Sequence, residues 1–279
     1  MTLIRNIQAK EGVVVSGWFR VKSCNPSGRG GGESVEMTLV DRSGILEAYG
    51  VLGRYQGPIT FTPYQVIWAV GQLHEVEGGI VLDLISCSTE TPQTQGVSTR
   101  VLPYDMCPYP EMLDSLDDLV GQIETKALRD FVEAVFWDEE VAYPFLSAPA
   151  SLGHHHDYSG GLLQHSIECA WAVMRFNEIP KNLLELAMVA ALFHDVGKTR
   201  TLAAEMKRTL IGHVLDHDDL TLEILASHLL TLDQQWPDGG LALRHLLTCR
   251  SLNGKSRKPQ LMAACELVSM ADRMSCAAY

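Results

Sequence analysis

The sequence predicts a chain of mixed class, a small β-barrel followed by an all-α domain. Three observations carry this reading: period-two apolar runs broken by glycine-rich turns between 12 and 87, a stretch rich in Ser, Thr and Pro from 88 to 110, and apolar residues spaced three and four apart from Glu111 onward. With 279 residues and 46% hydrophobic content, the chain suits two modest cores, since one domain usually takes about 100–200 residues.

The strands come first. VVVSGWFRVKSC is a long β-branched run, and VEMTLV alternates in period two before the turn-forming DRSG leads into ILEAYGVLG. That pairing predicts a hairpin. YQVIWAVGQLHEV and IVLDLISC, separated by Glu77, Gly78 and Gly79, predict a second one, and SCNPSGRGGGES reads as a loop between the first two strands. Five strands with glycine-rich connections in so short a span suit a small closed barrel, and the OB-fold is the expected form. The boundaries are set at 1–95 for the barrel, 96–110 for a linker and 111–279 for the helical domain.

Helical spacing begins with EMLDSLDDLVGQIETKALRDFVEAVF and returns near 139 to 146, 160 to 176, 182 to 195, 216 to 231 and 258 to 275. There is no internal repeat or low-complexity tract. No uninterrupted apolar run is long enough to span a bilayer, so no membrane partner is expected, and the N-terminal MTLIRNIQAKEGVVVSGW does not read as an export signal. The seven cysteines include no CxxC pair, and several lie in apolar helical patterns, which predicts reduced thiols and a cytoplasmic protein. A net charge of −12 argues against binding nucleic acid through bulk electrostatics. It leaves room for a local basic groove.

The most informative helix is NLLELAMVAALFHDVGK. Its run from Leu183 to Phe193 is apolar nearly all round and so predicts burial, yet it closes on His194 and Asp195. A buried carboxylate must be paired, hydrogen-bonded or metal-bound, because isolation costs several kcal/mol or more. His165 falls in the amphipathic GGLLQHSIECAWAVMRF, and Asp272 shares the apolar face of the last helix with Cys265, Val268, Ser269 and Cys276. Arg273 shares its side with Glu266, the arrangement of a solvated face. His165, His194, Asp195 and Asp272 together make a nitrogen and oxygen set suited to a divalent transition metal.

These residues resemble the signature of the HD metal-dependent phosphohydrolases: a His, then a His-Asp pair, then a distant Asp, each on its own helix. The resemblance covers roughly 140 to 276. HHDYSGGLLQHS is further similar to a motif shared by the MobH-class relaxases and the YhaM-type exoribonucleases, and the latter join an N-terminal OB-fold to an HD domain. That resemblance implies degradation of single-stranded RNA or DNA from the 3′ end. It also implies one or two divalent ions per chain, Mn2+ first and Mg2+, Fe2+, Ni2+ or Co2+ as alternatives, and a homo-oligomer. Such an ion lowers the pKa of bound water and neutralises charge on the phosphodiester. Asp195 is expected to bridge to a second ion, and Lys198 either contacts phosphate or is an exposed helix-end lysine. His213 in LIGHVLDH fills the family's Gly-His position as a further ligand. The family's next His pair is absent, since Arg250 and Ser251 stand there; either His245, His228 or His217 substitutes, or the second ion site is weak or absent and Arg250 contacts phosphate in place of an ion. His155 and His156 fill the subfamily's His pair, as phosphate binders, outer partners or ligands of an extra ion, and His154 falls outside the pattern.

OB-folds hold single strands by stacking bases on aromatic residues. Trp18, Phe19, Tyr49, Tyr55 and Trp68 are available, with Arg20, Lys22 and Arg29 as nearby cations. Neighbours in a strand point to opposite faces, so one of Trp18 and Phe19 is expected to be core and the other a stacking surface. Three functions remain open at this level. The first is a metal-dependent 3′–5′ exonuclease with Asp195 and Lys198 at its catalytic centre. The second is a phosphohydrolase of nucleotides or small phosphate esters, with the barrel as an oligomer contact. The third is a relaxase-like or single-strand-binding protein of a mobile-element DNA transfer system.

Overall fold

Strands β1 (Val14–Ser27), β2 (Ser34–Asp41), β3 (Gly44–Val51), β4 (Gln65–Val76) and β5 (Gly79–Ser88) close into a barrel of order β1-β2-β3-β5-β4, with β4 returning to β1. The β3–β5 pair is parallel and the other pairs antiparallel. The structure, a computed structural model, describes residues 2–7, 12–27, 34–77, 79–90, 96–176, 178–248 and 259–277. Two units divide the chain, Met1–Asp105 and Met106–Tyr279.

Both expected hairpins form. At the first, Asp41 Oδ1 accepts from the Ser43 backbone N–H at 2.7 Å and from Ser43 Oγ at 2.6 Å, while Oδ2 accepts from the Ile4 N–H at 2.8 Å, so the buried turn carboxylate is satisfied on both oxygens. Period-two alternation sends Phe19, Val21, Met37, Leu39, Ile67, Leu73 and Leu82 into the barrel core. Phe19 is therefore core and not a stacking surface. Trp18 points the other way and meets its register partner Trp68 edge to face, ring centroids 5.2 Å apart.

Arg20 is also corrected. It lies on the outer side of β1 yet is only 1% exposed, because its Nε donates to the Val101 carbonyl at 2.8 Å and its Nη1 to that of Tyr64 at 3.0 Å. Burial of a guanidinium against backbone carbonyls makes it structural, and it is closed to a phosphate. The stretch 96–110 reads as a linker by composition, yet Val97, Ser98, Thr99, Val101 and Leu102 are all fully buried. Lys22 stays exposed, with its Nζ 2.8 Å from Asp105.

In the second unit the first helical pattern splits into α1 (Glu111–Gly121) and α2 (Lys126–Trp137). The break has a buried cause: both oxygens of Glu185 accept backbone N–H groups, from Glu124 at 3.1 Å and Thr125 at 3.0 Å, at the start of α2. Then follow α3 (Glu139–Ser147), α4 (Gly161–Met174), α5 (Lys181–Phe193), the single turn α6 (Lys198–Thr201), and the short strands β6 (Leu202–Ala203) and β7 (Lys207–Arg208). The chain continues through α7 (His217–Ile224), α8 (Ala226–Gln235), α9 (Pro237–Leu247) and α10 (Pro259–Ala277). Helix α5 is buried nearly all round, as its composition predicts, with α4, α9 and α10 packed against it. Among the described residues no helix is long and apolar enough to cross a membrane.

Candidate metal centre

The stretch from 154 to 166 is a turn built to enter α4. His156 takes a left-handed φ of 51° and Gly160 one of 83°. Gly161 is required by close approach, since any Cβ there would collide with the carbonyl oxygen of His156. One helical turn further, His165 is completely buried.

Helix α5 stops at Phe193, and His194 caps it, so the His-Asp pair sits just past the helix end. The Nδ1–H of His194 donates to the Ala191 carbonyl at 2.8 Å, which turns Nε2 towards the centre. A similar argument fixes His165. Ser275 Oγ donates to Glu168 Oε2 at 2.8 Å, so towards His165 Nδ1, 3.1 Å away, it can only accept, and Nδ1 carries the hydrogen. The two Nε2 atoms face each other at 3.3 Å. Around them, Asp272 Oδ1 lies 3.2 Å from His165 Nε2 and 3.6 Å from His194 Nε2, and Asp195 Oδ2 lies 3.5 and 3.4 Å from the same two atoms. Ligands about 2.0–2.2 Å from one cation stand roughly 3.0–3.5 Å apart at right-angled to tetrahedral geometry. The donor set and its spacing fit a divalent transition ion.

Without an ion, protons and lysine do part of its work. Burial favours neutral forms here, but at His194 the charges of Asp195 and Asp272 outweigh it and raise the imidazole to about 9. Against the same burial penalty, His194, Lys198, His165 and His217 hold the Asp195 carboxyl well below the ordinary range, and hydrogen bonds from His165 and His194 do the same for Asp272. Lys198 is not an exposed helix-end residue: its Nζ is 2.5 Å from Asp195 Oδ2. The centre opens on a cavity of about 330 Å³ whose wall includes His217, Leu246, Ser269 and Arg273.

Of the remaining sequence-predicted residues, several are placed elsewhere. His213 is exposed on the turn Ile211–His213, and it is His217 that meets the other oxygen of Asp195, with Nε2 3.2 Å from Oδ1. His217 Nδ1 is also 2.6 Å from Asp216 Oδ1, and against burial the hydrogen bond and charge of Asp195 raise its proton affinity above the ordinary imidazole value. His228 is no ligand, because its Nε2 pairs with Asp138 at 3.1 Å at the start of α3. His245 is not on the cavity wall, where its neighbours Leu246 and Leu247 stand. Arg250, Ser251 and Arg29 lie outside the described residues. His154 is exposed, as its place outside the motif implies.

His156 is buried and reaches Glu168 Oε2 at 3.1 Å, while Gln164 Nε2 donates to Glu168 Oε1 at 2.9 Å. With the bond from Ser275, these outweigh burial and lower Glu168 to about 2. The His pair therefore divides its labour: His156 anchors a relay through Glu168 and Ser275 that orients His165, and His155 turns to Cys276. Sequence reasoning missed Glu168, Ser275 and Cys276, and it set Arg273 aside as solvated although it stands on the cavity wall. One signal was present, the four-residue steps from Asp272 to Cys276 and from Gln164 to Glu168.

Comparison with known proteins gives a match to the HD domain family over residues 162–275. Relatives named 3′–5′ exoribonuclease YhaM are similar over most of the chain. The protein from Bacillus subtilis (strain 168) is 23% identical over 247 residues, covering 85% of this chain and 76% of the relative. The one from Oceanobacillus iheyensis is 24% identical, covering 85% and 75%, and the one from Halalkalibacterium halodurans is 23% identical, covering 94% and 83%.

Proposed function

We propose, from an HD domain at residues 162–275 as the premise, that this chain is a metal-dependent 3′–5′ exonuclease acting on single-stranded RNA or DNA. The carrying observation is the pair of facing Nε2 atoms of His165 and His194, flanked by Asp195 and Asp272 at 3.2 to 3.6 Å. The names of the relatives support the phosphodiester substrate and its polarity, and the closed barrel, a fold used for single strands, supports the polymer. Mn2+ is the proposed ion because the set mixes imidazole with carboxylate.

When bound, the ion supplies an acidified water and neutralises charge on the scissile phosphate. The chain's own residues do the rest. Asp195 would help hold the ion, and Lys198 Nζ, 2.5 Å from Asp195 Oδ2, would then be free to take a phosphate oxygen. Arg273, on the cavity wall, offers a guanidinium to the phosphates of the strand. His217, whose ring lies between Asp195 and Asp216, is the proposed proton donor to the departing ribose oxygen. Trp18 and Trp68 form the aromatic surface on the outer side of the barrel.

Single-stranded RNA and DNA oligonucleotides labelled at the 5′ end, incubated with Mn2+, test the reading. A ladder of progressively shorter labelled products is expected. Turnover of mononucleotides with intact polymers would replace it by the small-phosphate-ester reading, and an Asp195→Ala variant as active as the wild type would overturn it.

A further inference from the structure

Cys276 stands on the last turn of α10, one helical turn beyond Asp272, and its Sγ lies 3.0 Å from His155 Nε2 and 3.5 Å from Asp272 Oδ1. His155 is delivered there by the strained turn at His156, which sends the two neighbouring rings apart: His156 to Glu168, His155 to the sulfur. The His155 and His165 rings are 5.3 Å apart, so this sulfur, imidazole and carboxylate lie directly beside the tetrad.

We propose that His155 Nε2, Cys276 Sγ and Asp272 form a second cation site, one that takes a thiolate-binding divalent ion such as Zn2+ or Co2+. Asp272 is the shared wall: one carboxylate serves two neighbouring ions. The two sides differ in chemistry. On the Asp195 side the His217 ring stands between two carboxylates, whereas the Cys276 side supplies a sulfur. Soft and borderline ions gain more from thiolate than hard ones, so Mg2+ and Mn2+ stay with the nitrogen and oxygen tetrad while Zn2+ and Co2+ occupy both positions. On binding, the Cys276 S–H bond breaks, its proton goes to solvent, and the sulfur lone pair forms the bond to the ion, with no change of oxidation state.

This site does not depend on the nuclease reading, and cobalt spectroscopy of the full chain under reducing conditions tests it apart from activity. Titration with Co2+ should produce a sulfur-to-cobalt charge-transfer band in the near ultraviolet. Asp195→Ala, which disables the tetrad without touching the new site, should keep the band. Cys169→Ser, which removes the buried thiol 3.8 Å from His165 Nε2, should keep it too. Cys276→Ser should lose the band while the visible cobalt bands of the tetrad persist, which also shows that the variant is folded. His155→Gln should weaken the cobalt dependence of the band by at least about tenfold, the least that loss of a partner of a ligand costs. No band in the wild type, a band that survives Cys276→Ser, or one that disappears with Cys169→Ser would overturn the proposal.

Discussion

Replacing Ser275 by Ala removes one hydroxyl that makes two bonds, accepting from His165 Nδ1–H at 3.1 Å and donating to Glu168 Oε2 at 2.8 Å. His165 is fully buried, so its Nδ1–H has no water to turn to. Leaving one buried donor unsatisfied costs about 1–3 kcal/mol, and since tenfold in an equilibrium corresponds to about 1.4 kcal/mol, metal affinity should fall roughly 5- to 150-fold if the ring also loses its tautomer. Losses of about 10- to 100-fold on removing the outer partner of a metal-binding histidine agree with this range. Calorimetric titration with Mn2+ reads the effect directly, with Ser275→Thr, which keeps the hydroxyl, as the rescue. Thermal unfolding of the ion-free proteins separates packing from orientation. A Ser275→Ala protein whose Mn2+ affinity lies within about twofold of the wild type, whatever its melting temperature, would refute the orienting role of the relay.

Lys198→Met should lower kcat about 100-fold, the scale of losing one charge-stabilising donor, without weakening Mn2+ binding, because Nζ competes with the ion for Asp195 Oδ2. Single-turnover hydrolysis and metal titration on the same variant check both halves. Trp18→Ala should weaken binding to a single strand by about 1–3 kcal/mol, the worth of one stacked base. Arg20→Ala should lower the melting temperature of the barrel instead, because it removes buried bonds to the carbonyls of Val101 and Tyr64. His194 is raised from 6.5 to about 9 in the ion-free protein, so its contribution to stability is complete below pH 6.5 and is lost as pH rises through about 9. Over that window the ion-free melting temperature should fall relative to His194→Gln, and Mn2+ affinity should rise because the ion displaces this proton.

The barrel was legible because each hairpin announces itself twice, in the period of its strands and in its turn residues. The tetrad was legible for a different reason: ionisable groups on apolar helical faces have few explanations, and His165, His194, Asp195 and Asp272 shared that anomaly. What could not be read were groupings with no local pattern. Glu168 and Ser275 are 107 residues apart in the chain, and nothing in either neighbourhood points to the other. His213 was preferred over His217 on a Gly-His motif, but the turn Ile211–His213 ends before the chain reaches Asp195, and α7 begins on His217. Helix α9 lies outside the expected helical segments; in it Pro237 takes the first helical position, and Gly239 and Gly240 leave room for Trp236 and Asp233. Arg20 alternated outward as a strand residue should, and only the chain between 97 and 102, composed like a linker but buried, hid it.

The central claim is that His165, His194, Asp195 and Asp272 close on one divalent cation. An anomalous difference map at the manganese edge, from crystals grown with Mn2+, tests it most directly. The account predicts a peak about 2.0–2.3 Å from His165 Nε2, His194 Nε2, Asp195 Oδ2 and Asp272 Oδ1 together. A map without a peak among these four atoms, or one whose strongest peak is held by other residues, would contradict it.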